Sequence, residues 1–115
     1  MDIEEIREYC LKKKAVTESF PFDETTLVFK VMNKMFALTP LEKEPSISLK
    51  CEPEKAIELR EHFSSVLPGY HMNKQQWNTV MIDGSISDRL LKEWIDDSYK
   101  LIVAKLPKKE RDALI

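Results

Sequence analysis

The stretch TTLVFKVMNKMFALT, residues 25–39, decides the fold because its pattern is that of a β-hairpin. In its first half the residues of one parity are all apolar: Leu27, Phe29 and Val31. Such an alternation with a period of two is typical of a strand with one buried face. Asn33 tolerates a positive φ, so Asn33 and Lys34 are predicted to make the tight turn. We therefore expect antiparallel strands over 26–32 and 35–39.

The rest of the chain divides into elements by the same kind of reading. Two more strands are predicted over 46–50 and 77–82, and three helices over 2–14, 53–64 and 87–105. Residues 15–24 are predicted to form a loop, and residues 107–114 a last helical turn or two. The apolar stripe of the longest helix has α-helical spacing and consists of Leu90, Leu91, Trp94, Ile95, Ser98 and Ile102.

This order of elements indicates an α+β fold. Strands linked by a hairpin, with the helices kept apart from them, predict an antiparallel sheet with helices packed on one face. The other face of the sheet is expected to be open, with Lys30, Lys50 and either Trp77 or Thr79 on it. A solvated sheet face that carries cations and an aromatic ring can serve as a binding surface.

Length and composition restrict the class of protein. A chain of 115 residues is expected to form a single domain over 1–115. Hydrophobic residues make up 43% of it and charged residues 33%, which is typical of a globular protein. No apolar run approaches the roughly 18 residues of a membrane helix. The formal charge of −2 argues against a strongly basic nucleic-acid binder, although not against a local basic patch.

The N-terminus and the cysteines indicate where the protein works. The first ten residues, MDIEEIREYC, are acidic and do not have the basic and apolar regions of a signal peptide. Cys10 and Cys51 are not spaced as a metal or redox pair, so they are expected to be reduced thiols. We therefore expect a cytoplasmic monomer that does not associate with membranes.

Two motifs give a resemblance to a known family. They are SLKC at 48–51 and HMNKQQWNTVMIDGS at 71–85, and they resemble the MmcQ/YjbR family. The residues that match that family's pattern are Lys50, His71, Asn73, Lys74 and Trp77. The resemblance implies a CyaY-like, or frataxin-like, α+β fold and the double-wing DNA-binding arrangement that has been proposed for the family. This chain has Gly69 and Tyr70 where some relatives carry Arg-rich or small residues.

These residue types suit a nucleic-acid ligand. Lys50 and Lys74 can neutralise phosphates, and His71 can donate a hydrogen bond to one. Asn73 can bond a base edge or a phosphate. Tyr70 and Trp77 can stack on unpaired bases, and we group all six residues as candidate ligand-binding residues. The leading hypothesis is thus weak, salt-dependent DNA binding by the open sheet face and the 69–77 loop.

Two alternatives remain open at this point. The same surface can instead bind a protein partner, as an adaptor domain does. His71 and Asn73 can also serve only the backbone of a long loop, while Trp77 covers the core where its strand begins.

No enzyme signature is present in the sequence. It has no Gly-rich phosphate loop, no zinc-protease helix and no recognisable carboxylate dyad. Cys51 with His62 or His71 lacks a third orienting group at a recognisable spacing. We therefore predict a non-enzymatic protein with no catalytic residues and no cofactor.

A frataxin-like fold raises a further alternative function, metal handling through the acidic first helix. Glu4, Glu5 and Glu8 are interrupted by Arg7 and followed by lysines, which is typical of a solvated helix balanced along its dipole. Carboxylates without fixed geometry make weak sites. We predict no metal site, and no stoichiometric binding of iron or zinc at micromolar concentration in calorimetry. A saturable micromolar site that is abolished by Glu4→Gln with Glu5→Gln would contradict this.

Overall fold

The computed structural model describes residues 1–69 and 72–114. The strands are β1 Val16–Ser19, β2 Thr26–Val31, β3 Lys34–Pro40, β4 Ser46–Lys50, β5 Val66–Pro68 and β6 Trp77–Met81. The helices are α1 Ile3–Leu11, α2 Pro53–His62, α3 Asp88–Ala104 and α4 Lys108–Asp112. The six strands form one sheet in the order β1-β2-β3-β4-β6-β5, and every neighbouring pair is antiparallel.

The α+β fold with an antiparallel sheet and helices on one face is confirmed. The core lies between the sheet and the helices. From the hairpin it receives the alternating residues Leu27, Phe29 and Val31. From the helices it receives Ile6, Cys10, Leu91, Trp94, Ile95 and Ile102. Within the described residues, no helix combines the length and the apolar character needed to cross a bilayer.

Two short strands correct the sequence prediction. Residues 15–24 are not all loop, because β1 pairs with β2 through Val16 opposite Val31. The three-residue β5 lies between the second helix and the 69–77 loop and pairs with β6. Both are outer strands of the sheet with few buried side chains, so their sequences lack the alternation that marks a half-buried strand.

The hairpin turn lies one residue earlier than predicted. Val31 pairs with Lys34, so the turn residues are Met32 and Asn33, with φ of 49° and 66°. Two positive φ values are the geometry of the type I′ turn, whose twist matches that of the flanking strands. Asn suits this conformation and Met does not, which is why the sequence pattern favoured Asn33 and Lys34 instead.

The two central strands are joined through a side chain from the longest helix. Only two residue pairs, Ala37–Leu49 and Leu38–Ser48, align β3 with β4. Beyond them the Ser98 hydroxyl donates to the Phe36 carbonyl at 2.5 Å and accepts from the Lys50 amide at 2.9 Å. Ser98 is fully buried, so α3 supplies the hydrogen bonds that the two strands do not make to each other at this end.

Replacing Ser98 by alanine is expected to destabilise the fold, because it leaves the Phe36 carbonyl and the Lys50 amide without this partner. Leaving buried polar groups unpaired costs about 1–3 kcal/mol. Urea denaturation followed by tryptophan fluorescence measures the change. Ser64→Ala, at an exposed turn, is the matched control and should change the free energy of unfolding by less than about 0.5 kcal/mol. Equal stability of the two variants would contradict a linking role for Ser98.

Candidate ligand-binding face

The sheet face opposite the helices, which we call the open face, forms a groove of about 880 Å³. Most of its lining residues are apolar: Phe22, Met35, Leu38, Pro40, Leu67, Pro68, Met72, Trp77 and Met81. The floor between them carries hydroxyl groups, and Ser48 and Thr79 are hydrogen-bonded to each other at 2.8 Å across β4 and β6. The groove is therefore an apolar surface with a few polar groups, as ligand-binding clefts usually are.

Methionine is concentrated in this groove. Three of the chain's five methionines, Met35, Met72 and Met81, line it. The side chain of methionine is unbranched and polarisable, so a surface rich in it can adapt to ligands of different shapes. The wall of the groove is thus both apolar and adaptable.

Trp77 is buried and also forms a wall of the groove. Its cross-strand partner is Lys50, which puts both residues on the open face, and only 8% of Trp77 is exposed. Gly69 packs directly against it and donates its amide to the Trp77 carbonyl at 2.9 Å. A Cβ at Gly69 would lie 2.8 Å from the Trp77 Cβ, so the chain can pass here only as glycine. Trp77 is thus buried where its strand begins, and it lies outside the cluster that packs against the helices.

The described part of the 69–77 loop is held by its own hydrogen bonds. The Asn73 side-chain oxygen accepts from the Gln75 amide at 3.0 Å, and the Asn73 carbonyl accepts from the Trp77 amide at 2.9 Å. The guanidinium of Arg60 donates to the Lys74 carbonyl at 2.9 Å and ties the loop to α2. Asn73 therefore serves the loop backbone while also lining the groove. The candidate residues Tyr70 and His71 lie outside the described residues.

Three lysines lie at one end of the open face, which we call the basic end. The register places Lys30 and Lys50 where β2 and β4 finish, and Lys74 is exposed in the loop that enters β6. Burial, together with the neighbouring Lys105, lowers the pKa of Lys50. The structure thus brings the predicted cations to the same end of the sheet, although they do not line the groove itself.

The opposite end of the open face, which we call the acidic end, is formed by the loops at 20–25 and 41–45. Among the described residues, the charged ones that line the groove are Asp23, Lys43 and Glu44. The Asp23 carboxylate accepts from the amides of Thr25 and Thr26, and these hydrogen bonds lower its pKa. Asp23 is therefore charged at neutral pH and fixed in position, so this end of the groove carries two carboxylates and one lysine.

The sequence prediction missed the groove itself, yet a signal for it was present. In the second strand of the hairpin, apolar residues occur at both parities: Met35, Phe36, Ala37 and Leu38. A strand that is apolar on both sides is typical of burial on both faces. That pattern indicated that the face away from the helices would be apolar as well as cationic.

The thiols, His62 and the acidic first helix each have a local structural setting. Burial raises the pKa of the Cys10 thiol to about 12 and also raises the pKa of the half-buried Cys51 thiol. The Nδ1 of His62 lies 2.9 Å from the carbonyl oxygen of Glu58 in its own helix. Glu5 and Asp2 bond each other's backbone amides in a capping box, so they serve the start of α1. Over 1–69 and 72–114 there is no group of three or more His, Cys, Asp or Glu side chains that could hold a metal.

The chain matches the family model described as YjbR over residues 11–101. It is 37% identical over 116 residues to the uncharacterized protein YjbR of Escherichia coli strain K12, with 100% of this chain and 98% of that protein covered. It is 39% identical over 93 residues to the uncharacterized protein YbdF of Escherichia coli O157:H7, covering 80% of this chain and 76% of that protein.

Solved structures share the fold. The crystal structure of the Deinococcus radiodurans protein DR2400, described with a DUF419 domain, superposes with a TM-score of 0.91 at 42% identity, covering 98% of this chain and 87% of that one. A crystal structure of a Pseudomonas syringae protein gives a TM-score of 0.77 at 27% identity, covering 88% and 98%. The antiparallel sheet with its helices on one face is thus shared with these proteins.

The raised pKa values of both thiols predict slow alkylation. A thiol reacts as its thiolate, so at pH 8 neither Cys10 nor Cys51 should react with iodoacetamide faster than free cysteine does. Cys10 should react only after unfolding in guanidinium chloride, because it is fully buried. Mass spectrometry of timed samples, with Cys51→Ala to isolate Cys10, measures both rates. Alkylation of Cys51 faster than free cysteine would contradict the prediction and reopen a nucleophilic role.

Proposed function

Since the chain belongs to the YjbR family, and its fold leaves one sheet face uncovered, we propose that it is a non-enzymatic binding module. The binding surface is the open face, and the ligand is an apolar segment of a partner protein. The resemblance drawn from the motifs at 48–51 and 71–85 is confirmed at the level of the family.

The groove is the observation that carries this proposal. Its volume of about 880 Å³ falls within the range of roughly 300–1,000 Å³ that is usual for ligand sites. Two of its apolar side chains are well exposed, Phe22 at 67% and Leu67 at 45%. Contiguous apolar surface of this kind on a small protein marks a site of interaction, because its exposure to water is unfavourable.

The charges in the groove favour a protein over DNA as its occupant. Of its three charged lining residues in the described chain, Asp23 and Glu44 are acidic and Lys43 is basic. A phosphate backbone laid along the groove would meet these carboxylates, and like charges repel. An apolar protein segment buries the same surface with no such penalty.

DNA remains a second candidate because Lys30, Lys50 and Lys74 share the basic end. Binding there would use the lysines and leave the groove empty. With so few phosphate contacts, such binding would be weak and would fall steeply with salt.

A peptide selection tests the protein-binding proposal. Peptides are selected from a random display library by the wild-type protein, and their binding is then measured to Leu67→Glu and Ile57→Glu. Leu67 and Ile57 are similarly exposed, at 45% and 52%, but Leu67 lines the groove whereas Ile57 lies on α2. We expect Leu67→Glu to weaken binding at least tenfold and Ile57→Glu to leave it within about twofold, since a buried charge without a partner opposes binding.

The alternative outcomes are distinct. Fluorescence anisotropy with labelled single- and double-stranded DNA is run at low and moderate salt on the same variants and on Lys50→Ala with Lys74→Ala. Suppose that the double lysine variant loses DNA binding and that Leu67→Glu leaves peptide binding unchanged. The nucleic-acid proposal would then replace the protein-binding proposal. Circular dichroism first establishes that every variant is folded.

A further inference from the structure

We infer that the segment bound by the open face is an amphipathic α-helix of about three turns, with its N-terminus at the acidic end and its C-terminus at the basic end. This inference rests on the proposed function, because it names the occupant of the same groove. Hydrogen bonding, dimensions and charge support it independently.

Hydrogen bonding argues for a helix over an extended segment. The floor of the groove is formed by β2, β3, β4, β6 and β5, whose strands pair with each other along the sheet. Where the β3–β4 ladder stops, the Ser98 hydroxyl takes the Phe36 carbonyl and the Lys50 amide. The floor therefore offers side chains and few free backbone groups. An extended segment would leave its own backbone unpaired, whereas a helix pairs its backbone internally.

The dimensions of the groove fit a short helix. Its lining residues on β3 run from Met35 to Pro40, which at about 3.3 Å per residue is roughly 17 Å. A helix of about 11 residues, or three turns, has that length at 1.5 Å per residue. Across the strands, the distance from β2 to β5 is four spacings of about 4.8 Å, or roughly 19 Å. This width admits a helix of 10–12 Å diameter with its side chains.

The charge distribution sets the direction of the helix. The N-terminal end of a helix carries a partial positive charge and the C-terminal end a partial negative charge. Asp23, Glu44 and Lys43 line one end of the groove, which leaves that end one negative charge in excess, while Lys50 and Lys74 lie beside the other end. A helix whose N-terminus meets the carboxylates and whose C-terminus meets the lysines is therefore favoured over the reverse orientation.

Three designed 12-residue peptides test the helical occupant. The first has leucines at positions i, i+3, i+4 and i+7 with glutamine elsewhere, the second has the same composition with alternating leucines, and the third is the first with a central proline. We expect the first to bind at least tenfold more tightly than the other two, with the tight binding lost in Leu67→Glu and kept in Ile57→Glu. Circular dichroism should show that its helicity rises on binding.

Two further peptides test the direction. Both have the helical leucine pattern, one with two lysines in its first turn and two glutamates in its last, the other with these charges exchanged. The first is the poorer helix in solution, because its charges oppose its own dipole. We nevertheless expect it to bind several-fold more tightly, with a difference that shrinks in 0.5 M salt. Glu44→Gln should reduce the difference, since Glu44 lines the acidic end.

Each failure identifies its cause. If the alternating or proline peptide binds as tightly as the helical one, and Leu67→Glu abolishes that binding, the helix is wrong and the binding module stands. If no designed peptide and no peptide from the display library shows binding that depends on Leu67, both the helical occupant and the proposed function are wrong. Tighter binding of the glutamate-first peptide overturns the direction alone.

Discussion

The Ser98 hydroxyl is the interaction on which the arrangement of layers depends. It bonds β3 and β4 at the point where their own ladder ends, and it belongs to the helix that covers them. Trp94 and Ile102 lie one turn before and after it, so the same face of α3 enters the core on both sides of this bond. Trp94 in turn packs edge-on against Phe63 at 5.3 Å, at the end of α2. The two hydrogen bonds of Ser98 and the apolar contacts on either side of it together hold α3 against the middle of the sheet.

The open face is a consequence of that layering. All three longer helices contribute to one face, and the sheet has apolar side chains on both. In the part of the chain that the structure describes, no layer packs on the second apolar face, which forms a groove. Because its floor is rigid sheet and one wall is pinned by Gly69 against Trp77, little ordering is needed when a ligand binds. Adaptability comes from the methionine side chains instead of the backbone.

The features that could be predicted are those whose pattern lies within the sequence of one helix or one strand. The alternation of Leu27, Phe29 and Val31 and the stripe that contains Trp94 were enough to give the sheet, the helices and the covered face. The unpredicted features depend on pairs of elements. Ser98 is the one hydroxyl on the apolar stripe of its helix, but its partners appear only where β3 and β4 separate beside it. Likewise β1 and β5 are strands because a neighbour pairs with them, and Met32 takes a positive φ because the hairpin register demands it.

The candidate site divides in the same way. Strand parity is readable from sequence, and the observed register gives Lys30 and Lys50 the parity of the open face, although the Lys50 side chain also neighbours Lys105 at the end of α3. Sequence patterns could not give the concave shape, which arises where five strands and three loops meet. Asn73 shows the limit most directly. Its amide suits a base edge as well as a loop turn, and only the position of the Gln75 amide decides that it serves the turn.

The outer strands have a consequence for self-assembly. A sheet with an apolar face would be hazardous if its edges could recruit further chains, since unpaired strand edges are templates for fibril growth. Here β1 has four residues and β5 has three. The last residue of β5 is Pro68, which has no amide hydrogen to offer an incoming strand. Glu18 on β1 is held by Arg7 of α1 at 2.5 Å, which places a charge pair beside the other edge. The protein therefore exposes an apolar sheet face between two edges that are short and poorly suited to pairing with further strands.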